Sequence, residues 1–316
     1  MSTLVPHENQ HHRWLRLDKI KEDSYRGECD APGPNSRIYG GQVLAQALKA
    51  AYETTPAGFV VNSFHCYFIR GGEERTPIIY EVKRIRNGRN FAIRTVEAIQ
   101  DGTVIHSSEF SFQREGSASN FTVTPKFPNV PPPEALKDAV VLRKEALANG
   151  VHPKKLRAFN TERIAPRCEV RACDEDVYLR GSDGRILKQY IWMRYQDPVD
   201  CADLSMTHST LAYVSDLHLV MTGMLPYPHI EFKLQTSLDH SAWFHEFRFD
   251  VNEWILYEQE CVAHSANRSL IHGRIWSRSG RLLMSTSQEG LIYPASTKPE
   301  KQKEVNVQGE KLNSKI

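Results

Sequence analysis

The feature that most constrains this chain is a pattern that occurs twice: one apolar helix followed by a run of alternating strands. In the first half Val43, Leu44, Ala47, Leu48 and Ala51 recur at three- and four-residue spacing, which predicts a helix over 42–54. Gly40-Gly41 opens it and Pro56-Ala57-Gly58 closes it. Segments 60–70, 77–86, 89–100 and 103–113 then read as strands, with Ile78, Tyr80 and Val82 alternating against Glu81 and Lys83. Asn87-Gly88 and Asp101-Gly102 are expected to supply the positive φ angles of tight hairpins. The second half places strands at 168–180 and 185–195 around Ser182-Asp183-Gly184, and a helix over 204–222 with Leu211, Val214, His218 and Met221 on one stripe. Strands at 233–247, 254–266, 269–278 and 281–293 complete it. Tyr67-Phe68 and Trp243-Phe244, like the turns Asp101-Gly102 and Ser279-Gly280, recur at similar offsets, pointing to a duplicated unit of helix plus antiparallel meander.

Between the copies the composition shifts. Gly116-Ser117-Ala118-Ser119, Pro125, Pro128 and Pro131-Pro132-Pro133 cannot belong to a sheet interior, because proline removes donors and fixes φ. A short helix is expected within 134–148, docking through Leu136, Val140 and Leu147. Segment 296–316 is polar and charged and reads as a flexible tail. The expected organisation is thus 1–115 as a first unit, 116–165 as a proline-rich linker, 166–295 as a second unit, and the tail.

Composition narrows the function classes. With 316 residues, about two domains are expected, and 40% hydrophobic with 25% charged residues is ordinary for a soluble globular protein. Forty basic against 38 acidic side chains leave a net charge of +2, with no excess to advertise nucleic acid or a membrane surface. No apolar run reaches the ~18 residues of a membrane span, and the amino terminus lacks the apolar stretch of a secretory signal. The six cysteines are scattered without a Cys-x-x-Cys pair, as expected of reduced thiols inside the cell rather than a metal framework. Neither Gly-x-Ser-x-Gly, a phosphate loop nor Gly-x-Gly-x-x-Gly occurs in its required setting. Gly40-Gly41 before a helix admits two readings: backbone donors for an anion, or a helix entry where only glycine fits.

Several blocks carry a resemblance. Arg37-Ile38-Tyr39-Gly40-Gly41-Gln42-Val43-Leu44-Ala45-Gln46 and Asn62-Ser63-Phe64-His65-Cys66-Tyr67-Phe68 resemble the opening motifs of the acyl-CoA thioesterase II family. Leu211-Ala212-Tyr213-Val214-Ser215-Asp216, Leu238-Asp239-His240-Ser241-Ala242-Trp243-Phe244-His245 and Ser287-Gln288-Glu289-Gly290 follow in family order. The resemblance implies an α+β double hotdog, two long helices each wrapped by an antiparallel sheet, in a fold whose members are often homo-oligomers. It implies hydrolysis of fatty acyl-CoA to fatty acid and coenzyme A without a metal or organic cofactor. By resemblance Asp216, Ser237 and Gln288 are the catalytic residues, with Asp239 and His240 as an alternative acid–base set. Counting from the hairpin glycines sets Phe110 where the second copy has Gln288, as one catalytic and one structural copy would look.

The chemistry suits such a trio. Burial raises an aspartate's pKa and improves it as a base, while a serine hydroxyl and a glutamine amide can hold a water against a thioester carbonyl. A polyanionic coenzyme A needs basic residues at a pocket mouth; Arg84, Arg86, Arg89, Arg94 and Arg268 are the candidates, with Gly40 and Gly41 offering backbone donors. Ser314-Lys315-Ile316 resembles the peroxisomal address Ser-Lys-Leu and implies an import receptor as partner; without it the cytoplasm is expected. Two alternatives remain open from the sequence: a non-catalytic acyl-CoA-binding module, and a hydratase or dehydratase on the same fold.

Overall fold

The computed structural model describes residues 14–295 apart from 30–36, 74–75, 117–120, 154–155, 157–166, 183–185 and 229. The Ser182-Asp183-Gly184 turn in part, and the tail with Ser314-Lys315-Ile316, lie outside the described residues. Strands β1 (Leu17–Lys21) and β2 (Ser24–Gly27) form a hairpin ahead of helix α1 (Gly40–Glu53). Strands β3 (Phe59–Phe68), β4 (Ile78–Asn87), β5 (Phe91–Gln100) and β6 (Thr103–Arg114) follow as the expected meander. After α2 (Ala139–Ala148) come β7 (Cys168–Ala172), α3 (Glu175–Arg180), β8 (Lys188–Tyr195), α4 (Leu204–Ser215) and α5 (Leu219–Thr222). Strands β9 (Phe232–Ser237), β10 (Asp239–Phe244), β11 (Ile255–Ser265), β12 (Arg268–Ser277) and β13 (Leu282–Pro294) end the fold.

All thirteen strands join one sheet in the order β1-β2-β4-β5-β6-β3-β10-β13-β12-β11-β8-β7, with β9 on β13. Every ladder is antiparallel, and β3 against β10 is the seam between the halves. At the seam His65 faces Ser241 and its Nδ1 lies 3.0 Å from the serine hydroxyl, across a sequence separation of 176 residues. That spacing relates the halves in detail. Asn62 is skipped in the β3–β6 ladder, and at the same spacing Leu238 is skipped between β9 and β10, so both copies carry a bulge at the same place. Helices α1 and α4 lie antiparallel beneath the curved sheet: Tyr39 donates to the Tyr213 carbonyl at one end, and Lys49 donates to Ser205 at the other. The inward strand faces close over them with Phe64, Phe110, Phe112, Ile191 and Tyr257, forming one core. This is the α+β double hotdog.

Five details differ from the sequence expectation. The helix expected over 204–222 breaks after Ser215, and His218 turns left-handed at φ 62° before α5. Side chains of β11 cause the break: Tyr257 donates to the Ser215 carbonyl at 2.6 Å and Gln259 to the Leu217 carbonyl at 3.1 Å, taking acceptors a continuing helix needs. The strand expected over 168–180 stops early, because Asp174 caps α3 by accepting from Val177 N–H. Asp101-Gly102 adopts the positive φ pair, at 47° and 73°, but Asn87-Gly88 does not. Helix α2 docks through Ala139, Leu142 and Ala146 rather than Val140 and Leu147. Finally, residues 127–136 of the proline-rich stretch pack on the outer face of the second sheet half: Phe127, Val130 and Leu136 cover Trp192, Trp254 and Trp276, and Trp192 Nε1 donates to the Pro131 carbonyl.

Candidate active site

Asp216 is the residue at which α4 ends, and Ser237 is the last residue of β9, immediately before the Leu238 bulge. Gln288 lies on β13, fully buried and directed at both. The Gln288 amide donates to Asp216 Oδ1 at 2.5 Å and to Ser237 Oγ at 2.8 Å, and the Ser237 hydroxyl donates to the same Asp216 Oδ1 at 3.3 Å. The three residues singled out in the sequence therefore meet as one closed hydrogen-bonded triangle. The Gln288 carbonyl oxygen has no partner.

The start of α1 completes the setting. A methyl group on Gly40 would lie 2.8 Å from the Phe68 ring and 3.0 Å from Asp216 Oδ2, and one on Gly41 would lie 2.6 Å from the Tyr213 carbonyl. Only glycine permits this approach of the helix entry to the end of α4. The same geometry lets the Gly41 N–H donate to the Asp216 carboxylate. Asp216 is 7% exposed. Burial lifts its carboxyl from 3.8 to about 7, outweighing the Gln288, Ser237 and Gly41 donors that favour the ionised form. A carboxylate with this value accepts a proton near neutral pH and releases it again.

The triangle opens on a cavity of about 430 Å³. Ile38, Val43, Phe68, Ile105, Val220 and Met221 make much of its wall apolar, and the exposed Arg37 and Arg70 stand at its rim. Among the described residues, those two arginines, not the ones expected from the sequence, are the guanidinium groups that line the cavity. Arg94, expected to bind substrate, is fully buried. Its guanidinium donates to the Thr54 hydroxyl and carbonyl, the Arg86 and Ile93 carbonyls and Asn87 Oδ1, closing the carboxyl end of α1. Arg268 pairs with Glu289 on the surface at 2.8 Å, and Arg84 pairs with Asp23; neither lines the cavity.

Asp239 and His240 do not form the pair expected of them. As neighbours on one strand their side chains point to opposite faces. His240 turns inward to the Ser215 hydroxyl at 2.9 Å, and burial lowers its pKa to about 3, whereas Asp239 accepts from the Glu289 N–H at 2.8 Å.

The seam relation also locates the counterpart of the triangle. Thr54 ends α1 as Asp216 ends α4, Val61 precedes the first bulge as Ser237 precedes the second, and Phe110 matches Gln288 through the paired ladders. The first copy thus holds two apolar side chains and a threonine, sealed by Arg94.

Comparison with known proteins follows the same division. The acyl-CoA thioesterase family model matches residues 163–291, and the acyl-CoA thioesterase N-terminal domain model matches 30–113. The chain is 35% identical to mouse acyl-coenzyme A thioesterase 8 over 282 residues, covering 88% of this chain and 87% of that protein. It is 27% identical to the yeast peroxisomal acyl-coenzyme A thioester hydrolase 1, covering 84% and 88% respectively. Among solved structures, an acyl-CoA thioesterase II of Mycobacterium marinum superposes with a TM-score of 0.71 at 29% identity, over 90% of this chain and 99% of that one.

Proposed function

This chain belongs to the acyl-CoA thioesterase family and hydrolyses acyl-CoA to a free acid and coenzyme A, and we propose that Asp216, Ser237 and Gln288 activate the water that does so. The observation that carries the proposal is the closed triangle of these side chains beside a largely apolar cavity. A water held by the Asp216 carboxylate and the Ser237 oxygen faces the thioester carbonyl. Asp216 takes one of its protons as the water oxygen bonds to the carbonyl carbon. The carbon–sulfur bond then breaks and the proton passes from Asp216 to the coenzyme A thiolate. Gln288 spends both amide hydrogens on Asp216 and Ser237, so it fixes the direction of their lone pairs. Arg37 and Arg70 are suited to the coenzyme A phosphates at the rim. In this reading residues 1–115 form a structural hotdog unit, 116–165 the linker, and 166–295 the unit that supplies the trio.

Thiol release from a panel of acyl-CoAs tests the proposal, with Asp216→Asn expected to abolish turnover while acyl-CoA still binds. Wild-type kcat in a folded Asp216→Asn protein overturns the assignment. We further propose peroxisomal import through Ser314-Lys315-Ile316, a reading supported by the peroxisomal yeast relative. Removal of these three residues from a fluorescently tagged chain should abolish punctate localisation.

A further inference from the structure

The two walls of the active-site cavity differ in a way the chemistry above leaves unused. One wall belongs to the first unit. There Arg37 lies along Gly71, where an added methyl would meet its Cδ at 2.7 Å, and the Arg70 N–H donates to the Ile105 carbonyl. The other wall belongs to the second unit and comes from α5 and β9. Among the described residues these two elements bring Val220, Met221, Gln235, Thr236 and Ser237 to the cavity and no charged side chain. The walls meet at the catalytic pair: Asp216 lies against Gly40 of the first unit, and Ser237 ends β9.

Strand β13 gives the second wall a scale. Its inward positions Gln288, Gly290 and Ile292 follow one another at two-residue intervals. Gln288 holds Asp216 and Ser237, and Gly290 lies against Val220, whose Cγ2 would be 2.3 Å from a methyl at that position. Ile292 shares a small apolar cluster with Met221 and Met224, separate from the main core. At about 3.3 Å per residue, Ile292 is roughly 13 Å along the strand from Gln288. Of these three side chains Met221 is the one that lines the cavity, and methionine readily reshapes around an apolar neighbour. The thioester carbonyl has to stand at Asp216 and Ser237, so both arms of the substrate leave from there. The phosphate-bearing arm is drawn to the wall that holds guanidinium groups. The alkyl arm is left with the uncharged wall, where burying each methylene is favourable.

Resting on the thioesterase reading, we infer that the acyl chain runs along the wall made by α5 and β13, and that Met221 sets the chain length this enzyme favours. Thiol release from hexanoyl-CoA and dodecanoyl-CoA tests this. Met221→Ala removes Cγ, Sδ and Cε from the far end of the wall and lets a longer chain bury its last carbons. At about fourfold per buried methylene, it should raise the ratio of kcat/KM for dodecanoyl-CoA to that for hexanoyl-CoA by on the order of tenfold or more. Met221→Phe, which fills the same space, should lower that ratio. A merely structural defect would reduce both substrates alike and leave the ratio where it was. A ratio unchanged in both variants overturns the inference while leaving the hydrolase intact. So does a ratio that moves in Val43→Ala, on the first-unit wall, but not in Met221→Ala. If one Met221 variant does not fold, the direction of change in the other decides. Failure of the wild type to release thiol from any acyl-CoA removes the thioesterase reading itself, and the inference with it.

Discussion

Asp216→Asn separates activity from stability in a way that burial alone dictates. The ordinary aspartate value of 3.8 and the buried value of about 7 bracket a pH window in which the folded chain holds a proton that the unfolded chain has lost. Folding takes up that proton, so this group's contribution to stability is full below about pH 4 and falls as pH rises towards 7. At about 1.4 kcal/mol per pH unit the loss across the window reaches about 4 kcal/mol, a substantial share of a marginal stability. Asparagine carries no such charge. Its amide meets the Gly41 N–H unfavourably, but that cost does not depend on pH. The stability of Asp216→Asn relative to wild type should therefore climb by about 3 kcal/mol between pH 4.5 and 8, and then level off. Urea denaturation at a series of pH values measures it, beside thiol release at the same values. In the wild type, kcat/KM should fall by up to tenfold per pH unit below about 7 as Asp216 is protonated. Parallel stability curves for the two proteins would refute the reasoning, because the carboxyl would then not be a desolvated group.

Three further outcomes are expected. Gly40→Ala forces a methyl against the Phe68 ring and Asp216 Oδ2, so kcat should drop by on the order of tenfold to a hundredfold with the fold retained, as thiol release and circular dichroism would report. Arg94→Met abandons five hydrogen bonds at the end of α1 and should cost roughly 2–4 kcal/mol in denaturant titration. Its KM for acyl-CoA should stay near the wild-type value, contrary to a role in binding coenzyme A. Arg37→Ala combined with Arg70→Ala should raise KM for acyl-CoA by about tenfold at low salt, with a gap that narrows as salt screens the phosphates. A thioester of N-acetylcysteamine, which lacks phosphates, should not register the change.

What the sequence determined by itself is the repeated local pattern. Three-and-four spacing in α1, two-residue alternation in β4 and the Asp101-Gly102 turn are properties of neighbouring residues, and hydrophobic burial acts on them wherever they are folded. The motif resemblance also singled out Asp216, Ser237 and Gln288, but their meeting depends on α4 ending where it does. That end is imposed by Tyr257 and Gln259, more than forty residues away, and no helical periodicity in the 204–222 stretch can register it. Arginine is read from sequence as a solvated charge, yet Arg94 is buried because the carboxyl end of another element supplies it with carbonyl oxygens. Arg37 and Arg70 reach the cavity rim through the closure of β3 and β6 over α1. Only the tertiary structure could decide these matters, because burial and electrostatic partnership belong to pairs of residues brought together by the fold.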